Sequence, residues 1–269
     1  MTFGNYFKKL KSILIGLLII SLLPSIISGA NQTLNLRDYQ IDGVMYDIFP
    51  GIFEKYFYSM TILLGGLALS ICVAILFTFI ASMLSRSFKR LLYGVLTILE
   101  SLPDLFIVVT LQIVIIYVYA KTGWLISDLM AVNDERIYLL PILVLAVLPT
   151  IQLFKLSFLF LEEEANKHYI QVARSMGLGK LYIVIRHVFR NVLFHLSLYF
   201  KPIFVFMLSN LFIVEYIFNI HGVMRIMLSS NSFVFLIGTF MIAIPFVYLF
   251  EMSSTMVQKY TGEREEEAA

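Results

Sequence analysis

Long unbroken apolar runs organise this chain. Six stretches, roughly 12–30, 56–84, 91–120, 138–160, 193–217 and 231–256, are mostly apolar. Each approaches or exceeds the roughly 20 residues an α-helix needs to cross a bilayer. The second has no charge between Lys55 and Arg86, and the sixth has none between Arg225 and Glu251. The third carries Glu100 and Asp104 near its start, and the fifth carries Lys201 and Glu215. The pattern predicts an all-α membrane protein with six transmembrane helices. It also leaves one long connection, 161–192, between the fourth and fifth, whereas 31–55, with Pro50 and Gly51, reads as a modest external connection.

Within that long connection the period changes. Ala165, Tyr169, Val172, Ala173 and Met176 stand at offsets 0, 4, 7, 8 and 11, one stripe of an amphipathic helix over 162–176. Glu162, Glu163 and Glu164 fall in its expected first turn, where the helix dipole favours negative charge. Gly177 follows as a left-handed cap. A second helical stretch then carries Arg186 and Arg190 and leads through Asn191 into the fifth span.

Composition agrees with lipid as the main solvent: 59% of residues are hydrophobic, 14% are charged and the mean hydropathy is +0.87. The net charge of +2 gives no reason to expect a nucleic-acid partner. Orientation follows from where the basic residues lie, because cytoplasmic loops retain Lys and Arg. With the N-terminus inside, the inner segments hold Lys8, Lys9, Lys11, Arg86, Lys89, Arg90, Lys167, Arg174, Lys180, Arg186, Arg190, Lys259 and Arg264. The outer ones hold Arg37, Lys55, Lys121, Arg136 and Arg225, and Lys155 and Lys201 remain inside spans. Thirteen against five places both termini and 161–192 in the cytoplasm.

The basic N-terminus followed by an apolar run resembles a signal peptide. Since further long apolar runs follow, it is read as the first span. The lone Cys72, inside an apolar run, reads as packing. The end from Thr261, with Glu263, Glu265, Glu266 and Glu267, reads as a solvated acidic tail. The expected divisions are 1–55 (first span and external segment), 56–257 (membrane core) and 258–269 (tail).

Catalytic patterns are missing from the sequence. Gly177-Leu178-Gly179-Lys180 lacks the Gly-x-x-x-x-Gly-Lys-Ser/Thr spacing that cradles phosphate, so ATP hydrolysis by this chain is not expected. No Gly-x-Ser-x-Gly elbow or triad stands out. His168, His187, His195 and His221 have no paired ligand spacing, so no metal site is expected.

The connection resembles the cytoplasmic loop of ABC importer permeases, specifically the oligopeptide/dipeptide/nickel branch. That branch shows aromatic-Val-x-x-Ala-Arg-x-x-Gly-Leu, then Arg-His-x-x-Arg-Asn. This chain has Tyr169-Ile170-Gln171-Val172-Ala173-Arg174-Ser175-Met176-Gly177-Leu178, then Arg186-His187-Val188-Phe189-Arg190-Asn191. Gln171 and Val172 replace the Glu-Ala pair of the general pattern, and its Ile-x-Leu-Pro end is absent, as is usual for this branch. Leu99-Glu100-Ser101-Leu102-Pro103 resembles the Ser-x-Pro entry to the third span, and Ile213-Val214-Glu215-Tyr216-Ile217-Phe218 followed by Gly222 resembles the segment ending the fifth.

The resemblance implies a coupling helix that docks on an ATP-binding subunit, with Tyr169, Ala173, Arg174, Gly177, Leu178 and Arg186 as coupling residues. It implies two cytoplasmic ATP-binding subunits, a second permease subunit, an extracytoplasmic substrate-binding protein and the plasma membrane of a prokaryote. ATP and Mg would sit on the partners, with no cofactor on this chain. Peptides are the default substrate, with nickel or metal chelates behind. Pro103, Lys201 and Glu215 are candidates for a pathway or structural role.

Lys201 and Glu215 are fourteen residues apart, about 21 Å along one helix, and do not pair directly. Glu100, Asp104 and Glu251 read as interfacial or snorkelling charges. Two other functions fit the hydropathy. A secondary carrier or channel would need ion-coupling residues and paired broken helices, and no internal repeat of that kind is visible. A membrane-anchored regulatory subunit would use the same loop without transport.

Overall fold

The computed structural model describes residues 11, 12, 15–19, 21, 37–41, 43–123, 128–132, 135–228 and 232–268, with the side chains at 86, 180 and 251–268 left aside. The expected first span lies mainly outside these residues. Five of the described helices are long and apolar enough to cross a membrane, matching the other five expected spans.

Two compact units divide the chain. Met60–Ile220 forms one, and Met1–Ser59 with His221–Ala269 forms the other. The first contains most of α1 (Gly51–Met83), then α2 (Arg86–Glu100), α3 (Asp104–Thr122) and α4 (Leu139–Ala165). After these come α5 (His168–Ser175), α6 (Lys180–Ile183), a π-helical turn (Val184–Val188), α7 (Phe189–Ser197) and α8 (Phe200–Ile217).

Helix α4 is the centre of this unit. Half of its most apolar stretch is buried (50%), against 33% for α1 and α8 and 17% for α3. It packs against α2, α3, α7 and α8. Small residues allow α1 to approach closely: an added Cβ on Gly66 would stand 3.3 Å from Met207 Cε of α8 and 3.5 Å from the Ile142 carbonyl of α4. Without a hydrophobic drive between helices in lipid, such close contact is what holds them.

Two expected spans are each broken. The third, 91–120, is α2 and α3 separated at Ser101-Leu102-Pro103. Pro103 has no N–H and disfavours helix in the residue before it, so α2 ends and α3 begins there. The Pro103 carbonyl accepts from Phe106 N at 3.0 Å, opening α3. The fifth, 193–217, is α7 and α8 with a tight turn at Leu198-Tyr199, where Tyr199 N bonds Leu196 O at 2.9 Å.

The ionic contacts of α2 point inward while apolar side chains point out. Lys89 pairs with Glu162 and Glu100 with Lys155, both at 2.5 Å on α4. Phe88, Leu91, Val95 and Ile98 are exposed. The interfacial reading of Glu100 is therefore replaced by an ion pair, because Lys155 sits well inside α4 and recruits the nearest carboxylate. Asp104 lines a small cavity of about 20 Å³ with Asn210, Val144 and Pro149. Cys72, expected to be packed, is exposed on α1 instead; an apolar run identifies a membrane helix but not which of its faces is covered.

The second unit is described separately. A hairpin of β1 (Asp38–Ile41) and β2 (Val44–Asp47) pairs antiparallel, with Tyr39 opposite Tyr46 and their rings stacked at 5.7 Å. Gly43, at φ +86°, makes the turn. After Ile220 come α9 (Val223–Met227) and α10 (Ser232–Ala268), whose span portion is Ser232–Phe250. Val223 N bonds Ser59 Oγ at 2.7 Å. An added Cβ on Gly238 would meet Met227 Cγ at 2.5 Å, so α9 rests directly on the glycine. Gly238→Ala is expected to lower stability by about 1–3 kcal/mol through overpacking, read as a lower melting temperature in detergent. An unchanged melting temperature would mean that Met227 moves aside freely.

Candidate coupling loop

The loop begins differently from the expected pattern. Helix α4 does not stop at 160 but runs to Ala165, so Glu162, Glu163 and Glu164 close this helix and do not open the next. There the dipole opposes their charge. Local groups offset it: Lys89 pairs with Glu162, and Lys167 Nζ lies 2.5 Å from Glu164 Oε2. Asn166 N and Lys167 N bond the carbonyls of Glu163 and Glu164, each at 3.2 Å, ending α4. Lys167 is extended (φ −67°, ψ 149°) and starts the two-turn helix α5.

The buried face of α5 is Ile170 and Ala173. Val172 and Met176 from the expected stripe are 57% and 74% exposed. The helix carries apolar residues on both faces, so spacing alone does not tell which is covered. Ile170, Ala173 and Leu161 form a small core with Ile183, Val188 and Val192, joined by Phe160 and Phe189. A cavity of about 70 Å³ lies alongside, lined by Arg174, Ile170, Ser82 and Lys89 among others.

Gly177 does adopt the left-handed conformation, φ +79°. Leu178 N bonds Ala173 O at 3.3 Å and Gly177 N bonds Arg174 O at 3.0 Å. This pair of bonds is the Schellman pattern, which requires positive φ at the residue after the cap. Tyr169, Val172, Met176, Leu178, Leu181, Tyr182 and Ile185 are exposed around it. Arg174 and Arg186 are exposed too, Arg186 within the π-helical turn. The structure therefore brings Tyr169, Ala173, Arg174, Gly177 and Leu178 together on α5 and its cap, with Arg186 one element further on.

Glu164 was not singled out by its sequence neighbourhood. Its side chain is 2% exposed, and its Oε1 accepts from Tyr169 Oη and, at 2.5 Å, from Asn191 Nδ2. Asn191 also donates to Tyr169 Oη at 3.1 Å. A signal did exist: Phe154, Ser157, Phe158, Leu161 and Glu164 continue the buried stripe of α4. Extending that stripe past 160 would have found it.

The other candidates stand apart from the loop. Pro103 sits at the α2–α3 break, and Lys201 is exposed at the start of α8. Glu215 is fully buried, and its carbonyl accepts Ile220 N at 2.8 Å. Asn219, at φ 54°, reverses the chain there as Gly177 does in the loop. Among the described residues no three His, Cys, Asp or Glu side chains gather as metal ligands.

Five helices able to cross a membrane, with a packed loop between α4 and α7 that exposes apolar side chains, define a multi-pass membrane protein. The chain belongs to the family described as the binding-protein-dependent transport system inner membrane component, which it matches over residues 70–261. That is a family of permeases and not of catalysts. It is also similar to the oligopeptide transport system permease protein OppB of Mycoplasma pneumoniae, 38% identical over 72 residues. That similarity covers 25% of this chain and 18% of the relative.

Proposed function

We propose that this chain is one membrane half of an ATP-driven importer and that 161–192 is the element that docks on a cytoplasmic ATPase. The observation carrying this reading is the build of the loop. A packed underside (Leu161, Ile170, Ala173, Val188, Val192) presents exposed apolar side chains, among them Val172 and Met176, around a fixed reversal at Gly177. Exposed apolar groups on a rigid support suit a protein partner. The basic residues of 161–192 support a cytoplasmic side for that partner.

Two ATPase subunits would bind ATP and Mg. A second permease subunit would complete the path, since one bundle of this size encloses little, and a binding protein would deliver substrate from outside. Both termini are cytoplasmic in this reading. Closure of the ATPases would drive the membrane helices between inward-open and outward-open states. Peptides are the proposed substrate, supported by the similarity to an oligopeptide permease.

The test replaces Cys72 and introduces a cysteine at Asn166. It should stay unlabelled by an impermeant thiol reagent applied outside, and the purified complex should contain two Walker-motif ATPase subunits, with no hydrolysis by this chain alone. Labelling from outside, or ATP hydrolysis by the isolated chain, would overturn the proposal.

A further inference from the structure

The three glutamates that close α4 are not equivalent. Glu163 is exposed and Glu162 pairs with Lys89, while Glu164 is turned into the protein. It occupies the C-terminal end of a helix, where the dipole opposes a negative charge. Its support comes from the loop: Lys167 Nζ at one oxygen, Tyr169 Oη and Asn191 Nδ2 at the other. Tyr169 belongs to α5 and Asn191 to α7, so one carboxylate joins three helices. The Asn191-to-Tyr169 hydrogen bond closes the triangle.

We infer that Glu164 is the positioning residue of the loop, locking α5 to α4 and α7 so that movement of α5 carries both helices as one body. This rests on the coupling reading of 161–192. The apolar core beneath α5 is non-directional and tolerates small rotations. Hydrogen bonds to a buried charge do not, because water cannot replace a broken partner there. Rotating α5 about its axis would withdraw Tyr169 from both Glu164 and Asn191. The lock is thus what makes a two-turn helix stiff enough to transmit force.

The experiment uses the assembled, reconstituted complex in a Cys72→Ser background. A cysteine replacing Val172 reports docking by crosslinking to the ATPase. A cysteine replacing Ser209, exposed midway along α8, reports inward/outward switching as an ATP-dependent change in thiol labelling. Tyr169→Phe and Glu164→Gln should each keep the crosslink yet reduce the ATP-dependent change about tenfold, the factor a lost hydrogen bond to a charged group is worth. Their combination should cost less than the product of the two single effects, since both act on the same Tyr169–Glu164 bond, one deleting its donor and the other weakening its acceptor.

Normal switching in Tyr169→Phe with the crosslink intact would overturn the lock and leave the coupling reading standing. Multiplicative effects in the double variant would likewise overturn it. Failure of the parent cysteine at 172 to crosslink would remove the coupling reading itself, and the lock with it. Should Glu164→Gln fail to accumulate, Tyr169→Phe decides alone, since it deletes only a hydroxyl from a half-exposed ring.

Discussion

Gly177→Val is expected to abolish uptake while the chain remains inserted at wild-type abundance. The reason is backbone and not space. An added Cβ at Gly177 meets nothing within 4 Å, yet the residue stands at φ +79°. An L-residue in the left-handed region costs about 1–2 kcal/mol, and a β-branched one more. That strain falls on a helix of eight residues, which by itself is too short to be stable in water. The Schellman bonds from Gly177 and Leu178 should open, and the exposed apolar face should lose its fixed direction. Gly177 lies in none of the five helices long and apolar enough to cross a membrane, so insertion and abundance should hold. Gly177→Ala should be milder, and Arg174→Ala should reduce uptake without abolishing it. Uptake of the proposed peptide substrate by cells, set against membrane abundance by immunoblot, checks the expectation. Normal uptake by Gly177→Val at normal abundance would remove this loop from the coupling role.

Breaking the Glu100–Lys155 pair should have the largest effect on accumulation of the protein. Lys155 is ten residues before the end of α4, about 15 Å along the helix. Its ammonium lies 2.5 Å from Glu100 and 5.4 Å over the Tyr93 ring. Glu100→Ala leaves that charge at membrane depth without its carboxylate, a penalty on the order of 2–3 kcal/mol on insertion scales. Abundance should fall several-fold. Removing both charges, with Glu100→Gln and Lys155→Met, should restore it, because no unpaired charge then remains within the span. Exchanging the two, Glu100→Lys with Lys155→Glu, should restore it in part. If Glu100→Ala accumulates normally while uptake is lost, the pair serves transport and not assembly.

The apolar runs were enough to read five spans because lipid offers the backbone no hydrogen-bond partners, so a long apolar segment has to be helical. The left-handed cap at Gly177 was legible for a related reason: a helical period that ends on glycine has few other ways to reverse. Hydropathy did not reveal the breaks at Ser101-Leu102-Pro103 and Leu198-Tyr199. A window average does not change when two helices meet inside one apolar run.

The tertiary structure decided the rest. The sequence pattern put Ala165, Tyr169, Val172, Ala173 and Met176 on one stripe, and only packing against Leu161 and Val188 made Ile170 and Ala173 the inner face of α5. It offered Glu162, Glu163 and Glu164 as the first turn of one helix, whereas α4 continued through them to Ala165. Where a helix ends depends on what its last turn can bury, and here the donors that let Glu164 enter the interior arrive from residues 167, 169 and 191. A partner 27 positions away leaves no periodic trace in the sequence. The same holds for Glu100 and Lys155, 55 positions apart, which hydropathy read as two separate polar interruptions and the fold made into a pair.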